Sequence, residues 1–120
     1  MRAIIITVLI FIFMCCIIFA NNIYIKETAE FICECVSEGE FERDPSESIQ
    51  KLDEFWQKNH PIVGLSVGYK ELDRMSDLII DLKVYHELGN TAEVLRVRAL
   101  IIETADEISR LEKFELENLL

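Results

Sequence analysis

The chain has 120 residues, enough for one domain, and 51% of them are apolar. The net charge of −10 is divided unevenly, because Arg2 gives +1 up to residue 25 and this leaves −11 for residues 26–120. An acidic surface repels nucleic-acid phosphates and anionic headgroups, which excludes nucleic-acid binding and a domain lying flat on a membrane. Soluble cations or a basic protein surface remain as partners.

The N-terminal segment is apolar throughout. Ala3 to Ala20 reads AIIITVLIFIFMCCIIFA, 18 residues in which Thr7 is the one clearly polar side chain. A helix rises ~1.5 Å per residue, so this run spans roughly 27 Å. The hydrocarbon core of a bilayer is about 30 Å thick. The sequence therefore predicts a single-pass transmembrane anchor over residues 1–25, in contact with membrane lipid.

Two other interpretations of this segment stay open. A cleaved signal peptide would end after Ala20, but the apolar run is longer than the usual ~7–15 residues and bulky Ile18 and Phe19 stand where small residues are needed. A lipoprotein signal at Cys15 or Cys16 lacks small residues before the cysteine. Retention as an anchor is the prediction that fits the composition best.

Charges on either side of the anchor set its expected orientation. Arg2 precedes it, and Lys26 follows it together with many acids. This slight cation bias predicts an inside N-terminus and an extracytoplasmic domain over residues 26–120 at the cell membrane. Tyr24 is expected at headgroup level, with Lys26 reaching the interface.

Apolar spacing after Lys26 predicts helices and no strands. The first is expected to continue from the anchor to about Glu38, with Gly39 ending it in a left-handed conformation. The second begins at the capping sequence Asp44-Pro45-Ser46-Glu47 and ends at Asn59-His60-Pro61, since the residue before proline avoids helical geometry. Their predicted apolar faces are Ile25, Ala29, Ile32 and Val36, then Ile49, Leu52, Phe55 and Trp56.

A third helix is expected from the end of the apolar connection 62–68 to about Leu88, and Gly89 stops it. A fourth begins at the cap Asn90-Thr91-Ala92-Glu93 and runs nearly to the C-terminus, with a face broad enough to be packed on two sides. The predicted faces are Leu72, Met75, Ile79 and Leu82, then Leu95, Ala99, Ile102, Ala105, Ile108 and Leu111, the last face being widened by Val94, Leu100 and Ile101. Short connections favour antiparallel neighbours. The predicted fold class is all-α, a transmembrane helix continuing into an up-and-down antiparallel four-helix bundle.

Reactive side chains are present without a catalytic or metal-binding pattern. Cys33 and Cys35 lie about 200° apart on a helix, so they cannot easily bond to each other or share a zinc ion. A structural role as free thiols is favoured for both cysteines, and the alternative is a disulfide between two chains through Cys33 or Cys35. His60 and His86 each fall near a predicted helix C-terminus, where a capping role is favoured.

The acids form a cluster around the first predicted turn: Glu38, Glu40, Glu42, Asp44 and Glu47. They lack the order of a calcium loop, and a solvated surface is favoured. Glu103, Asp106 and Glu107 are assigned in the same way to a polar face. No GxSxG, P-loop or dinucleotide fingerprint occurs. We therefore assign no catalytic, cofactor-binding or metal-binding residue and no enzyme activity.

Trp56 falls late in the second predicted helix, with Lys58 and His60 close behind, and the chain closes on Leu116-Glu117-Asn118-Leu119-Leu120. With these features, the whole-chain layout resembles a bacterial family found mainly in Firmicutes, domain of unknown function number 4363. Its members have an N-terminal hydrophobic segment followed by acidic helices, and they often carry a tryptophan late in the second helix and a closing Leu-Glu-Asn-hydrophobic-Leu. The resemblance implies a bacterial envelope protein and brings no activity or cofactor.

These observations predict a non-catalytic protein-interaction or scaffold module, confined to the cell envelope by its anchor. Its expected partner is another protein, either a different membrane protein or a second copy of the chain. The alternative is a small enzyme or a cation- or ligand-binding sensor that uses the acidic cluster with His60 or His86.

Overall fold

The computed structural model describes the backbone of residues 1–65 and 67–119 and the side chains of residues 1–65 and 67–111. Five helices follow one another: α1 (Arg2–Cys35), α2 (Glu38–Arg43), α3 (Pro45–Val63), α4 (Tyr69–Glu87) and α5 (Thr91–Leu119). No strand occurs within these ranges, so the expected all-α class is confirmed.

The four long helices contact one another in a closed cycle, in which α1 and α4 each touch both α3 and α5. Along α1 and α3, Tyr24 meets Asn59 and Phe31 stacks on Phe55. Tyr24 precedes Phe31 on α1, whereas its partner Asn59 follows Phe55 on α3, so the two helices are antiparallel. The Tyr24 hydroxyl donates to Asn59 Oδ1 at 2.6 Å. Tyr24 is therefore half-buried between two helices rather than free to reach a lipid headgroup.

Helix α1 has two different halves. Its first part is exposed over residues 2–14, whereas Ile25 and the residues that follow at helical spacing enter the core. The predicted stripe is confirmed, since each member is at most 6% exposed: Ile25, Ala29, Ile32 and Val36. An 18-residue window of α1 is long and apolar enough to cross a membrane, and none of it is buried in the chain.

The end of α1 differs from the prediction. The helix stops at Cys35, and Gly39 lies inside the extra helix α2 instead of forming a left-handed cap. The carbonyls at the end of α1 find other donors, because Ser37 Oγ donates to Glu34 O at 2.8 Å and Arg98 of α5 donates to Val36 O. With these groups satisfied, a glycine cap is not required. The left-handed residue of the chain's described part is Gly89 (φ 69°), which follows α4 as expected.

The expected end of α3 at Pro61 is also wrong. The helix continues to Val63, and the Gly64 N–H donates to His60 O at 2.9 Å. A proline inside a helix costs about 3 kcal/mol. Full burial of a valine contributes roughly 1.5–3 kcal/mol, and Val63 is 0% exposed. The extra turn offsets the cost of Pro61 by placing Val63 in the core.

Helix α5 packs on α1 and α4, as its broad apolar face predicted, but the face is rotated. Leu95, Ala99, Ile102 and Leu111 are exposed although they were expected in the core. The expected Ala105, Ile108, Val94 and Ile101 are buried, and so are Val97, Arg98 and Thr104, which were not in the prediction. Two adjacent arcs of the helix are apolar, so periodicity alone could not choose between them.

Candidate functional site

Arg98 is the most unusual polar residue of the interior. Its side chain is 7% exposed, and both Nε (3.1 Å) and Nη2 (2.8 Å) donate to Val36 O. The guanidinium carbon lies 4.3 Å above the centre of the Phe41 ring, a cation–π arrangement. Arg98 thus joins α5 to the end of α1 and to α2. Sequence reasoning missed it, although a charged residue within an apolar arc was a visible signal.

The four cysteines are free thiols, and the two in the helical domain are shielded. Cys35 is 8% exposed, and burial, helped by the charge of Glu34, raises its pKa to about 11. Cys33 is half-buried, and burial together with the nearby Asp106 also raises its pKa. Both thiols are therefore protonated near neutral pH and are poor nucleophiles. The inter-chain disulfide stays a prediction, and Cys33 is the more accessible of the two for it.

The two histidines are far apart: His60 is near the end of α3, and His86 of α4 lies beside the start of α3. His60 Nδ1 is 3.1 Å from Trp56 O in the preceding turn of its own helix. His86, near the end of α4, has Nε2 3.1 Å from Ser46 Oγ at the start of α3. His86 lines a cleft with Asp53 and Glu87, and none of the five clustered acids is in the lining of that cleft. The Ser46–His86 pair is exposed and joins two helix ends, which makes it a contact between helices.

The acidic cluster is spread over the surface. Asp44 caps α3 by accepting from the Glu47 N–H at 3.1 Å, as its sequence predicted. Glu40 pairs with Arg43 at 3.9 Å, and Glu47 pairs with Lys51 at 3.2 Å. Among the described residues no group of three or more His, Cys, Asp or Glu side chains is arranged to hold a metal ion.

The acids predicted on the last helix lie on its surface. Asp106 pairs with Arg110 at 3.3 Å, and Glu107 reaches across to Arg74 of α4 at 3.7 Å. Glu103 is exposed. The structure does not bring these three acids together with either histidine, so they form no acid–base pair.

The aromatic residue near the end of α3 is a core residue. Trp56 is 1% exposed, and its Nε1 donates to Ser76 Oγ of α4 at 2.8 Å. A buried indole with a satisfied N–H fills space and fixes the position of two helices. Trp56 is not in the lining of the clefts beside Cys35, His86 and Arg98.

The residues that α5 leaves outside form an apolar surface. Leu95 (57% exposed), Ala99 and Ile102 (40% exposed) follow one another at helical spacing, and we call them the α5 stripe. A shallow cleft beside them is completed by Arg98, by Val36 after the end of α1 and by Glu38 at the start of α2. This surface combines apolar side chains with a nearby carboxylate, and it is one of the places where a protein partner has apolar area to bury.

Comparison with protein-family models, with curated proteins and with solved structures finds no match to this chain. The family resemblance therefore stays a prediction. Of its two motifs, Trp56 lies in the core, and the side chains of Leu116–Leu120 lie outside the described residues.

Proposed function

We propose that this chain is a single-pass membrane protein of the bacterial cell envelope that acts without catalysis, as a protein-interaction or scaffold module. In this proposal α1 crosses the bilayer with its first half and continues into an antiparallel four-helix bundle outside the membrane. The single observation that carries the proposal is the contrast between the two halves of α1, one apolar and uncovered, the other built into the core.

The uncovered half of α1 needs a non-aqueous environment. Burying one large apolar side chain contributes roughly 1.5–3 kcal/mol. More than ten such side chains are exposed on α1, so their contact with water costs tens of kcal/mol, whereas a domain is stable by only about 5–15 kcal/mol. A helix that is apolar on every side fits a lipid environment, whereas a protein surface would cover one stripe. Membrane lipid is therefore its proposed partner.

Orientation and acidity support a position outside the cytoplasm. Arg2 favours an inside N-terminus, which leaves the −11 charge of residues 26–120 on the outer side. An acidic domain is not drawn down flat on anionic headgroups, so its sides stay available to a protein partner. Membrane confinement raises effective concentration, and modest contacts then suffice for binding.

The α5 stripe is the proposed contact surface for that partner. It presents Leu95, Ala99 and Ile102 to solvent, with Glu38 in the adjoining cleft and exposed Glu103 next along the helix. Arg98 also lines this cleft, but its guanidinium donates to Val36 O. Apolar side chains bordered by carboxylates suit a partner surface that is apolar at its centre and basic at its edge. A membrane protein with such a helix, or a second copy offering its own apolar stripe, meets that description.

Alkaline carbonate extraction of cell membranes tests the anchor. We expect the parent chain in the membrane pellet. Replacing Leu9 and Phe13 by lysine places two charges at mid-bilayer depth, each at about 2.5–3.5 kcal/mol, and should move the chain to the supernatant. Ile80→Lys, at an exposed site on α4, is the matched control and should stay in the pellet. Recovery of a secreted chain beginning near Asn21 would contradict the proposal.

A photo-crosslinking amino acid at Ala99 tests the contact surface. We expect adducts of defined mass in membranes, and their loss when Leu95 and Ile102 are both changed to glutamate. The same crosslinker at exposed Gln57 on α3 is the control and should give no adduct of that mass. Absence of any adduct at Ala99, together with no self-association in mild detergent, would remove the interaction function and leave the anchor untouched.

The alternative, a cation or ligand sensor or an enzyme, is not favoured by a specific observation. His60 lies near the end of α3, whereas His86 of α4 lies beside the start of α3. The acids that line the cleft at His86 are Asp53, which pairs with Lys83, and Glu87.

A further inference from the structure

The connection between α3 and α4 carries the most exposed apolar side chains of the helical domain. Leu65 is 86% exposed, Tyr69 is 79% exposed, and Ile62 in the last turn of α3 is 50% exposed. We call these three residues the loop patch. Among the described residues after the anchor segment, no other large apolar side chain is as exposed as Leu65 or Tyr69.

The contacts of α1 fix where this patch lies. Phe31 stacks on Phe55, and the Tyr24 hydroxyl donates to Asn59. The C-terminal end of α3 therefore lies beside the part of α1 that is nearer to the anchor. Val63 lies four residues beyond Asn59, or about 6 Å at ~1.5 Å per residue. It therefore stands at the level of about Ala20, where the apolar run of α1 ends. The loop patch is at the same end of the domain, beside the emerging anchor.

The charge of the α3–α4 connection differs from the rest of the domain. Between Glu54 and Glu71 there are 16 residues without an acid, the longest such stretch after Lys26 in a chain that has 22 acids. The same stretch contains Lys58 and Lys70, which are both exposed. Helix α5 returns to this end of the domain and brings acids of its own, so the repulsion from anionic headgroups is weakest along the connection itself. Apolar side chains, a tyrosine and flanking lysines are the composition of a segment at a membrane interface.

We infer that the loop patch is a second membrane contact, in which Ile62, Leu65 and Tyr69 enter the interfacial layer of the same bilayer that holds α1. This inference rests on the proposed anchor and adds to it. The occupant is the lipid surface, because the patch continues the apolar face of the anchor at the same level and because Lys58 and Lys70 complement lipid phosphate. The domain stands on its α3–α4 end, with the α4–α5 turn farthest from the lipid.

Quenching by brominated lipids tests the contact in the full chain, reconstituted in vesicles of zwitterionic and anionic lipid. Tyr69→Trp adds a reporter in the patch, and Leu88→Trp adds a matched one at the opposite end of α4, where Leu88 is 72% exposed. Native Trp56 is buried and gives a constant background. Phe13→Trp reports on the anchor separately.

We expect lipids brominated near the headgroup to quench most of the added emission of Tyr69→Trp and to leave Leu88→Trp unchanged. Replacing Lys58 and Lys70 by glutamate should reduce the quenching of Tyr69→Trp in anionic vesicles. Quenching of Phe13→Trp without quenching of Tyr69→Trp would overturn the loop contact and leave the anchor standing. Loss of quenching at Phe13 would overturn the anchor itself. Equal quenching at positions 69 and 88 would also contradict the inference, since the domain would then lie on its side.

Discussion

Arg98 satisfies the carbonyl oxygen of Val36 from a position 62 residues further along the chain. Val36 follows the last residue of α1, so the guanidinium does for this helix what a local cap does for others. A positive charge at a helix C-terminus also suits the helix dipole. The helix that carries the proposed anchor is thereby connected to α5 at its far end.

We predict that Arg98→Met destabilises the domain. A buried carbonyl left without a donor costs about 1–3 kcal/mol, and loss of the contact with Phe41 adds roughly 0.5–2 kcal/mol. Part of this is offset because the buried charge no longer has to be desolvated. The expected net loss is about 2 kcal/mol in the free energy of unfolding. Urea denaturation in detergent micelles, followed by the helical circular dichroism signal, measures it.

Arg96→Met is the control for this change. Arg96 is on the same helix but pairs with Glu93 at the surface, where an ion pair contributes under about 1 kcal/mol. Equal losses of unfolding free energy in the two variants would mean that the hydrogen bonds of Arg98 to Val36 and its contact with Phe41 add no stability.

A pair of glycine substitutions tests the backbone conformation at Gly39 and at Gly89. Gly39 is helical, and an added Cβ there meets no atom within 4 Å, so Gly39→Ala should stabilise the chain by about 0.5–1 kcal/mol. Gly89 has φ 69°, where Gly89→Ala should cost roughly 1–2 kcal/mol. Thermal unfolding of both variants provides the comparison. A stability change of the same sign in both variants would contradict either the helical conformation of Gly39 or the left-handed conformation of Gly89.

The two prolines form a second matched pair. Pro61 is inside α3, so Pro61→Ala adds a backbone donor to the helix and should stabilise it by about 1–2 kcal/mol after the entropy gained by the unfolded chain is subtracted. Pro45 occupies the first turn, where proline is well tolerated, and Pro45→Ala should change stability by under about 1 kcal/mol. Urea midpoints distinguish the two. No gain from Pro61→Ala would indicate that α3 ends before this residue.

Cys35 should resist alkylation in the folded chain. Raising its pKa from 9.0 to about 11 lowers the thiolate fraction at pH 8 by about 100-fold. Mass spectrometry of iodoacetamide-treated chain, with and without urea, measures the protection. Alkylation as fast in the folded chain as in urea would show that Cys35 is not buried.

The same shift gives a pH dependence of stability. The folded state raises this pKa, so it favours the protonated thiol. Its contribution is complete below pH 9 and is lost as the pH rises from 9.0 toward about 11. Unfolding midpoints measured over this range should fall more steeply for the parent than for Cys35→Ala. Parallel curves for the two chains would contradict the shift.

Sequence patterns predicted the features that depend on neighbouring residues. Asp44 and Asn90 were predicted as caps and accept from the N–H groups of Glu47 and Glu93, because capping is decided within one turn of helix. The stripe of α1 was predicted because polar residues occupy its other sides. Local chemistry was sufficient for these elements.

Features set by distant residues could not be predicted. The end of α1 depends on Arg98, and the extra turn after Pro61 depends on the core position of Val63. The choice between the two apolar arcs of α5 was made by its contacts with α1 and α4. For the same reason, the loop patch is recognisable only when the contact of Tyr24 with Asn59 places it beside the proposed anchor.

Helix α1 is unbroken from Arg2 to Cys35. In the proposed arrangement the bilayer ends near Ala20, so the remaining 15 residues rise only about 22 Å above the lipid at ~1.5 Å per residue. Because the helix is continuous, the domain has a fixed position relative to the proposed anchor. A protein that binds the domain must present its own binding site at that height. Any tilt of the membrane helix would rotate the whole domain by the same angle.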